Sequence, residues 1–426
     1  MIMPLDGPPG NGVEARQARL ASQLRTTRAL SLAIAAPLSA EDQAVQAHED
    51  ASPTKWHLAH TTWFLEELIL KRFLADYKVF DERFAYCFNS YYESLGERHP
   101  RPKRGLLTRP SAEEVRCYRL YADERLERLL GEPVADEALR LIEIGINHEQ
   151  QHQELMLTDI LALFAANPLR PAYRSAAPAS ASGNPVPSGR WRDMKGGIYE
   201  AGHRGPGFAY DNEEPSHQTV LRDFRLFSRE VTNGEWLAFM DERGYADPAI
   251  WLADGWAAVQ REGWKAPGYW EWIDGAWHQM TLHGLLPIEK SRPVTHISYF
   301  EADAFARWAG HRLPTEFEWE AASKDQEQAK PLDLSNLIAE PASPEGNASQ
   351  FGNLWEWTQS PYAPYPGYRP APGPLGEYNG KFMCNQFVLR GGSFATPGNH
   401  VRPSYRNFFY PHQRWQFMGL RLASGV

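Results

Sequence analysis

His148-Glu149-Gln150-Gln151-His152 admits two incompatible readings, and the choice between them decides what the first half of this chain is. As H-E-x-x-H it is the zinc-protease signature, with two histidines one helical turn apart and Glu149 as general base. As plain H-x-x-x-H it supplies two ligands to some other metal, and Glu149 is a solvated neighbour. The residues downstream exclude the protease. A glutamate-type zincin takes a third ligand from a second helix about 20 residues on, and a metzincin continues to G-x-x-H. Here no Glu lies between Glu154 and Glu200, and Gln153-Glu154-Leu155-Met156 follows without a Gly or a third His.

The ligand set is better completed from upstream. Ser52-Pro53-Thr54 opens a predicted helix that continues through Lys55-Trp56-His57-Leu58-Ala59-His60-Thr61-Thr62-Trp63-Phe64 towards Phe73, with Pro in the first turn as its start signal. His60 shares an apolar helical face with Trp56, Trp63 and Glu67, while His57 lies one turn back and competes for the same role. The later helix is expected from Pro133 to Ala166, and its inward stripe reads Leu141, Ile144, His148, His152, Leu155. With 14 His in 426 residues, about half of one i,i+4 His pair arises by chance, so the pair alone means little. Three imidazoles on the apolar faces of two helices are another matter. Each is costly to bury alone, and all three can share one cation.

Composition bounds the rest. A length of 426 residues allows two domains with ample core. A net charge of −9 argues against nucleic acid or an anionic membrane as main partner, and no apolar run reaches membrane-spanning length. Met1 to Gly12 lacks the charged and apolar regions of a signal peptide. Cys87, Cys117 and Cys384 are too few, and odd in number, for a disulfide framework. A reducing cytoplasm is the expected location.

Four amphipathic patterns, Glu14 to Ala35, Pro53 to Phe73, Ser111 to Leu130 and Pro133 to Ala166, predict a helical bundle over residues 1–170, whose core is a usual place for a metal. The third opens with a capping box of Ser111 and Glu114. Residues 171–189 are rich in Ala, Ser, Pro and Gly and read as a linker. From 190 to 426 the character changes: all of the 15 Trp except Trp56 and Trp63 lie there, among short strands and many turns. Tyr269-Trp270-Glu271-Trp272-Ile273-Asp274-Gly275-Ala276-Trp277 predicts a hairpin about an Asp-Gly turn. Helices are expected from Phe300 to Ala309 and from a Thr315/Glu318 capping box. The expected class is α+β in two domains, without an internal repeat.

Five segments, taken together, resemble one family. Trp56-His57-Leu58-Ala59-His60, His148-Glu149-Gln150-Gln151-His152-Gln153-Glu154, Arg312-Leu313-Pro314-Thr315-Glu316-Phe317-Glu318-Trp319-Glu320, Gly352-Asn353-Leu354-Trp355-Glu356-Trp357 and Leu389-Arg390-Gly391-Gly392-Ser393-Phe394 occur in this order. They resemble the ergothioneine-biosynthetic sulfoxide synthases of EgtB type, over nearly the whole chain. The resemblance implies a DinB-like four-helix bundle followed by a formylglycine-generating-enzyme-like, C-type-lectin-like α+β domain. It implies Fe(II) held by His60, His148 and His152. The implied reaction joins the sulfur of a cysteine-type thiol to the imidazole of hercynine, trimethylated histidine, with O₂, to give a sulfoxide. Three neutral imidazoles leave the metal its full charge and open positions, and such a metal deprotonates a coordinating thiol.

The same resemblance assigns further residues. Gln151 would hydrogen-bond hercynine and fix its pose. Tyr91 or Tyr92, within Asn89-Ser90-Tyr91-Tyr92-Glu93-Ser94, would give a proton or electron to the oxygen chemistry. Of the basic run Arg98, Arg101, Lys103 and Arg104, the residues Arg101 and Arg104 are expected to fork onto the carboxylate of the thiol substrate. In Tyr405-Arg406-Asn407-Phe408-Phe409-Tyr410-Pro411, Asn407 would bind the hercynine carboxylate, with Phe408 and Phe409 facing its trimethylammonium. Phe409 stands where the branch that uses γ-glutamyl-cysteine has an acidic residue, so free cysteine is the expected donor. The expected partners are thus hercynine, cysteine and O₂, with self-association into a homo-oligomer left open.

Three rivals were weighed. A formylglycine-generating oxidase needs a reactive cysteine pair after Phe394, and Ala395 to Asn407 contains none. An ovothiol-type synthase, acting on unmethylated histidine, usually carries an extra methyltransferase domain. A non-enzymatic bundle with a lectin-like binding module would leave three histidines without redox work.

Overall fold

The computed structural model describes residues 10–175, 186, 188–324, 326, 329–343 and 345–425. The chain forms two compact units, Met1–Asp159 and Ile160–Val426. Most of the expected 171–189 linker lies outside the described residues.

The first unit is helical. Its long helices are α1 (Gly10–Ala35), α2 (Thr54–Leu65), α5 (Ala112–Leu130) and α6 (Asp136–Ala166), with short α3 (Lys71–Phe73) and α4 (Phe84–Phe88) between α2 and α5. Helix α5 starts as expected: Ser111 Oγ accepts from the Glu114 N–H, and the Glu114 carboxylate accepts from the Ser111 N–H. Helix α6 starts later than Pro133, with Asp136 and Glu137 in the first turn, where acidic groups complement the helix dipole.

Helix α2 packs against both α1 and α5, and every residue from Thr54 to Leu65 is buried. Its polar side chains are buried as well, and Lys55, His57, His60, Thr61 and Thr62 each have a hydrogen-bond partner within the protein. The continuous helix expected to Phe73 is interrupted by a π turn over Glu66–Leu70. At that turn the buried Glu66 carboxylate accepts from the Tyr118 hydroxyl at 2.5 Å and from the Tyr77 hydroxyl. A widened turn of this kind follows a local bonding demand.

The second unit mixes short sheets with α7 (Asn233–Asp241), α8 (Ala253–Glu262), α9 (Tyr299–Trp308) and α10 (Glu316–Ser323). Strands β1 (Trp191–Met194), β4 (Phe224–Glu230) and β12 (Arg421–Gly425) form an antiparallel sheet in the order β1-β4-β12. Strands β2 (Gly197–Ala201) and β3 (His217–Leu221) pair separately. Strands β5 (Trp270–Ile273), β6 (Ala276–Thr281) and β7 (Gly284–Pro287) form a meander. Its first turn is the expected Asp-Gly hairpin, with φ of 48° at Asp274 and 82° at Gly275, the left-handed pair such a turn requires. A four-stranded sheet has the order β10-β9-β8-β11, from β8 (Trp355–Pro361), β9 (Phe387–Arg390), β10 (Asn407–Phe409) and β11 (Met418–Gly419). Leu221, Phe224, Leu226, Ala322 and Ala423 pack as one apolar cluster.

The three motif segments of this unit meet in its interior. Arg390 pairs with Glu316 at 2.8 Å and with Glu320 at 3.1 Å. The Trp319 indole N–H donates to Glu356 at 2.7 Å, and Glu356 pairs with Arg421 at 2.8 Å. These buried charges are mutually satisfied, so the segments hold the fold together. Removing one member would strand the others.

Candidate functional site

Helices α2 and α6 lay four histidines side by side. His60 is fully buried, and its Nδ1 lies 2.6 Å from the Phe88 carbonyl oxygen. Phe88 ends α4, and the carbonyls of a last helical turn have no partner within the helix. The neighbouring Cys87 carbonyl takes the Trp56 indole N–H at 3.0 Å; that of Phe88 takes the imidazole. A carbonyl only accepts, so Nδ1 of His60 carries the hydrogen and Nε2 presents a lone pair.

That lone pair faces Nε2 of His148 at 3.1 Å. His60, His148 and His152 bring their ligand nitrogens within 4.8 Å of one another. Two nitrogens bound at right angles, about 2.1 Å from one metal, lie about 3 Å apart. The His60–His148 spacing therefore fits two neighbouring corners of a coordination sphere. All three rings are neutral. Burial pushes His148 down to about 3, and it holds His60 and His152 well below the usual histidine range, with the adjoining His148 ring adding to the effect. Neutral imidazole is the form that binds metal. The walls are apolar: Trp56 stacks on His60 with centroids 4.7 Å apart, Trp63 flanks it at 5.6 Å, and Phe64 lies 4.4 Å from His148.

His57, the rival ligand, falls outside this set. Its Nε2 lies 3.0 Å from the Asp159 carboxylate and its Nδ1 lies 2.8 Å from Nδ1 of His152. Glu149 is neither a general base nor solvated. It is 1% exposed and turned towards α1 and α5, where it accepts from Arg119 at 2.6 Å, Ser31 at 2.6 Å and Arg28 at 3.0 Å. Burial alone would push its carboxyl up, yet Arg119 and Arg28 hold it at about 2.

Of the other expected residues of this unit, Tyr92 and Arg104 pack against the aromatic walls of the cluster. Tyr92 is fully buried, 5.7 Å from Trp63 and 6.1 Å from Phe64 between ring centroids, so it touches rings that wall two of the imidazoles. Tyr91 is half-buried and stacks on Tyr92 at 4.8 Å. Asn89 shapes their loop: its amide donates to the carbonyls of Tyr92 and Gly96 and its oxygen accepts from the Tyr92 N–H. Gln151 is half-buried on α6. Arg104 is buried, with its guanidinium 3.4 Å above the Trp56 ring and one hydrogen bond, to Ser52 Oγ at 2.9 Å. No carboxylate among the described residues pairs with it, and burial, then Arg101, lowers its pKa well below the usual arginine value. Arg101 is exposed and donates to the Asp50 carbonyl.

In the second unit Asn407, Phe408 and Phe409 form β10, opposite Leu389, Val388 and Phe387. The Asn407 side-chain oxygen accepts from the Phe408 N–H at 2.9 Å, which leaves its amide nitrogen as donor. Phe408 stacks on Tyr362 at 4.0 Å, and Phe409 lies edge-on to Trp415 at 6.1 Å. Sequence reasoning missed Arg28, Arg119 and Asp159. Asp159 did leave a signal, since it sits two helical turns after His152 on the same face.

Comparison with known proteins places both parts of the chain in known families. A family model described as DinB superfamily matches residues 23–156, and one described as Sulfatase-modifying factor enzyme 1-like domain matches 192–338 and 333–426. The hercynine oxygenase of Mycolicibacterium thermoresistibile is 32% identical over 417 residues, covering 88% of each chain. That of Mycolicibacterium smegmatis is 33% identical over 75% of this chain and 79% of its own, and that of Mycobacterium tuberculosis 36% over 65% and 70%. The chain belongs to the EgtB-type sulfoxide synthases. As an EgtB-type protein it is an oxidative enzyme of the ergothioneine pathway, with a DinB-like bundle followed by a sheet-containing domain of the formylglycine-generating type. No helix among the described residues of this EgtB-type chain is long and apolar enough to cross a membrane.

Proposed function

We propose that this chain joins the sulfur of cysteine to the imidazole of hercynine, using O₂ and an Fe(II) held by His60, His148 and His152. The observation that carries the reading is the cluster of three neutral imidazoles, His60 and His148 buried and His152 half-buried, without a carboxylate among them, whose ligand nitrogens converge within 4.8 Å. Imidazole sets suit zinc, copper, iron and nickel alike. Zinc has no redox chemistry to give an oxidative enzyme. Iron(II) so held supplies one-electron chemistry towards O₂ and acidifies a coordinating thiol.

The remaining work falls to the chain. Arg104 is a buried cation without a carboxylate partner among the described residues, and a substrate carboxylate would complete it; Arg101 would assist from the exposed side. Gln151 orients hercynine, and Tyr91 or Tyr92 gives a proton or electron to the oxygen chemistry. The amide nitrogen of Asn407 is assigned to the hercynine carboxylate, and Phe408 and Phe409 to its trimethylammonium. Phe409 offers no partner to a γ-glutamyl ammonium group.

The test is an anaerobically iron-loaded assay, opened to O₂ with hercynine and either thiol, with the sulfoxide read by mass spectrometry. Cysteine should exceed γ-glutamyl-cysteine by at least about tenfold in kcat/KM, the value of one lost charged hydrogen bond. Phe409→Asp should narrow that gap. Replacing both Tyr91 and Tyr92 by Phe should suppress C–S bond formation while iron still binds. Absence of sulfoxide with either thiol overturns the reading.

A further inference from the structure

We propose that Asp159 and His57 form a two-step hydrogen-bond relay that fixes the tautomer and orientation of His152, making both of them positioning residues for the metal centre. The inference rests on the metal reading above and extends it to residues that bind neither metal nor substrate.

The direction of the relay follows from what each atom can do. The Asp159 carboxylate only accepts; one of its oxygens takes the Ser52 N–H at 2.8 Å and faces His57 Nε2 at 3.0 Å. His57 Nε2 is therefore the donor, and in the neutral ring Nδ1 is then an acceptor. The only ring atom it faces in this relay is Nδ1 of His152, at 2.8 Å. That contact is a hydrogen bond only if His152 carries its hydrogen on Nδ1. Nε2 of His152 then carries the lone pair, and in the relay it is this nitrogen that serves the metal, the His152 ligand atom lying within 4.8 Å of those of His60 and His148. The same outcome is reached at His60 by a shorter route, a single carbonyl of Phe88. Ligand histidines are usually held by such partners, and loss of one typically costs about 10- to 100-fold in metal affinity.

Geometry makes the relay stiff. Helix α6 carries both ends, His152 and Asp159, and α2 supplies the middle. His57 is 3% exposed and Asp159 is 8% exposed, so water competes poorly for either bond. The arrangement also explains why a second histidine sits one turn before His60: it serves the neighbouring helix.

The experiment is an anaerobic titration of the full-length protein with Fe(II) against a chromogenic chelator, which needs no turnover. His57→Leu and His57→Met both remove the acceptor, so a folding defect in one leaves the other to read, with circular dichroism as control. Each should bind Fe(II) about 10- to 100-fold more weakly than wild type. In His57→Asn the side-chain oxygen replaces Nδ1 as acceptor for His152, and affinity should return to within about threefold of wild type. A folded His57→Leu or His57→Met with wild-type affinity overturns the relay and leaves the metal reading standing. An Asn variant as weak as the Leu variant also overturns it, because packing would then be the cause. Failure of the wild-type protein itself to bind Fe(II) overturns the metal reading and the relay together.

Discussion

His148 and Glu149 are consecutive residues on α6, each 1% exposed, and the fold finishes them in opposite ways. Around Glu149 the chain has gathered two guanidinium groups and a hydroxyl, so its charge is closed within the protein. His148 instead turns a ring nitrogen to the lone pair of His60 across 3.1 Å, and such a pair needs a shared proton or a shared cation between them. Buried polar groups that satisfy one another hold a fold. Buried lone pairs that converge hold a guest. A rotation of one residue along a helix, about 100°, separates the two uses.

The largest expected effect tests the open face. His60→Ala, His148→Ala and His152→Ala should each weaken Fe(II) binding by at least about a hundredfold and abolish sulfoxide formation. The metal-free variants should still unfold within about 1 kcal/mol of wild type. The next tests the closed face. Glu149→Leu strands Arg119 and Arg28 and should cost about 3–5 kcal/mol in urea unfolding, while the folded fraction keeps its metal stoichiometry. If Glu149→Leu lost metal and kept its stability, the division between the faces would be broken. Ser31→Ala removes one hydrogen bond to a buried carboxylate and should cost about 1.5–3 kcal/mol, again without moving the metal.

The smallest effect is a slope. His148 has its pKa pushed from 6.5 to about 3, so below pH 6.5 the unfolded chain takes up a proton that the folded one refuses. Stability of the metal-free protein should therefore fall as the pH drops from 6.5 towards 3. Glu149, lowered from 4.5 to about 2, loses its contribution only as the pH falls from 4.5 towards 2. His148→Gln should make the decline between pH 6.5 and 3 shallower and leave the part below pH 3, which belongs to Glu149, unchanged. Urea midpoints measured across that range check it.

Helix existence, capping boxes and the Asp-Gly hairpin were legible in the sequence because each is a local pattern with a local cause. The histidine triad was legible because two apolar stripes carried the same interruption. Glu149 was misjudged as solvated, since its partners Arg28 and Arg119 lie 121 and 30 positions away in the chain, and no local period announces them. His57 could not be separated from His60 for a similar reason. What divides them is the Phe88 carbonyl on one side and Asp159 on the other, both set by tertiary contact. The π turn at Glu66 was likewise hidden, because Tyr77 and Tyr118 reach that carboxylate from outside the helix.

The contacts His60–His148, His57–His152 and His57–Asp159 run between α2 and α6 like rungs, and all three are made by protein atoms alone. A zinc finger that loses its ion loses its shape, and the cell reads it as waste. Here side chains tie α2 to α6, and the expected outcome is that chelation leaves the circular dichroism of this chain unchanged. An emptied copy that stays folded would show quality control no unfolded surface, and the supply of metal would then bear on how many working copies a cell holds.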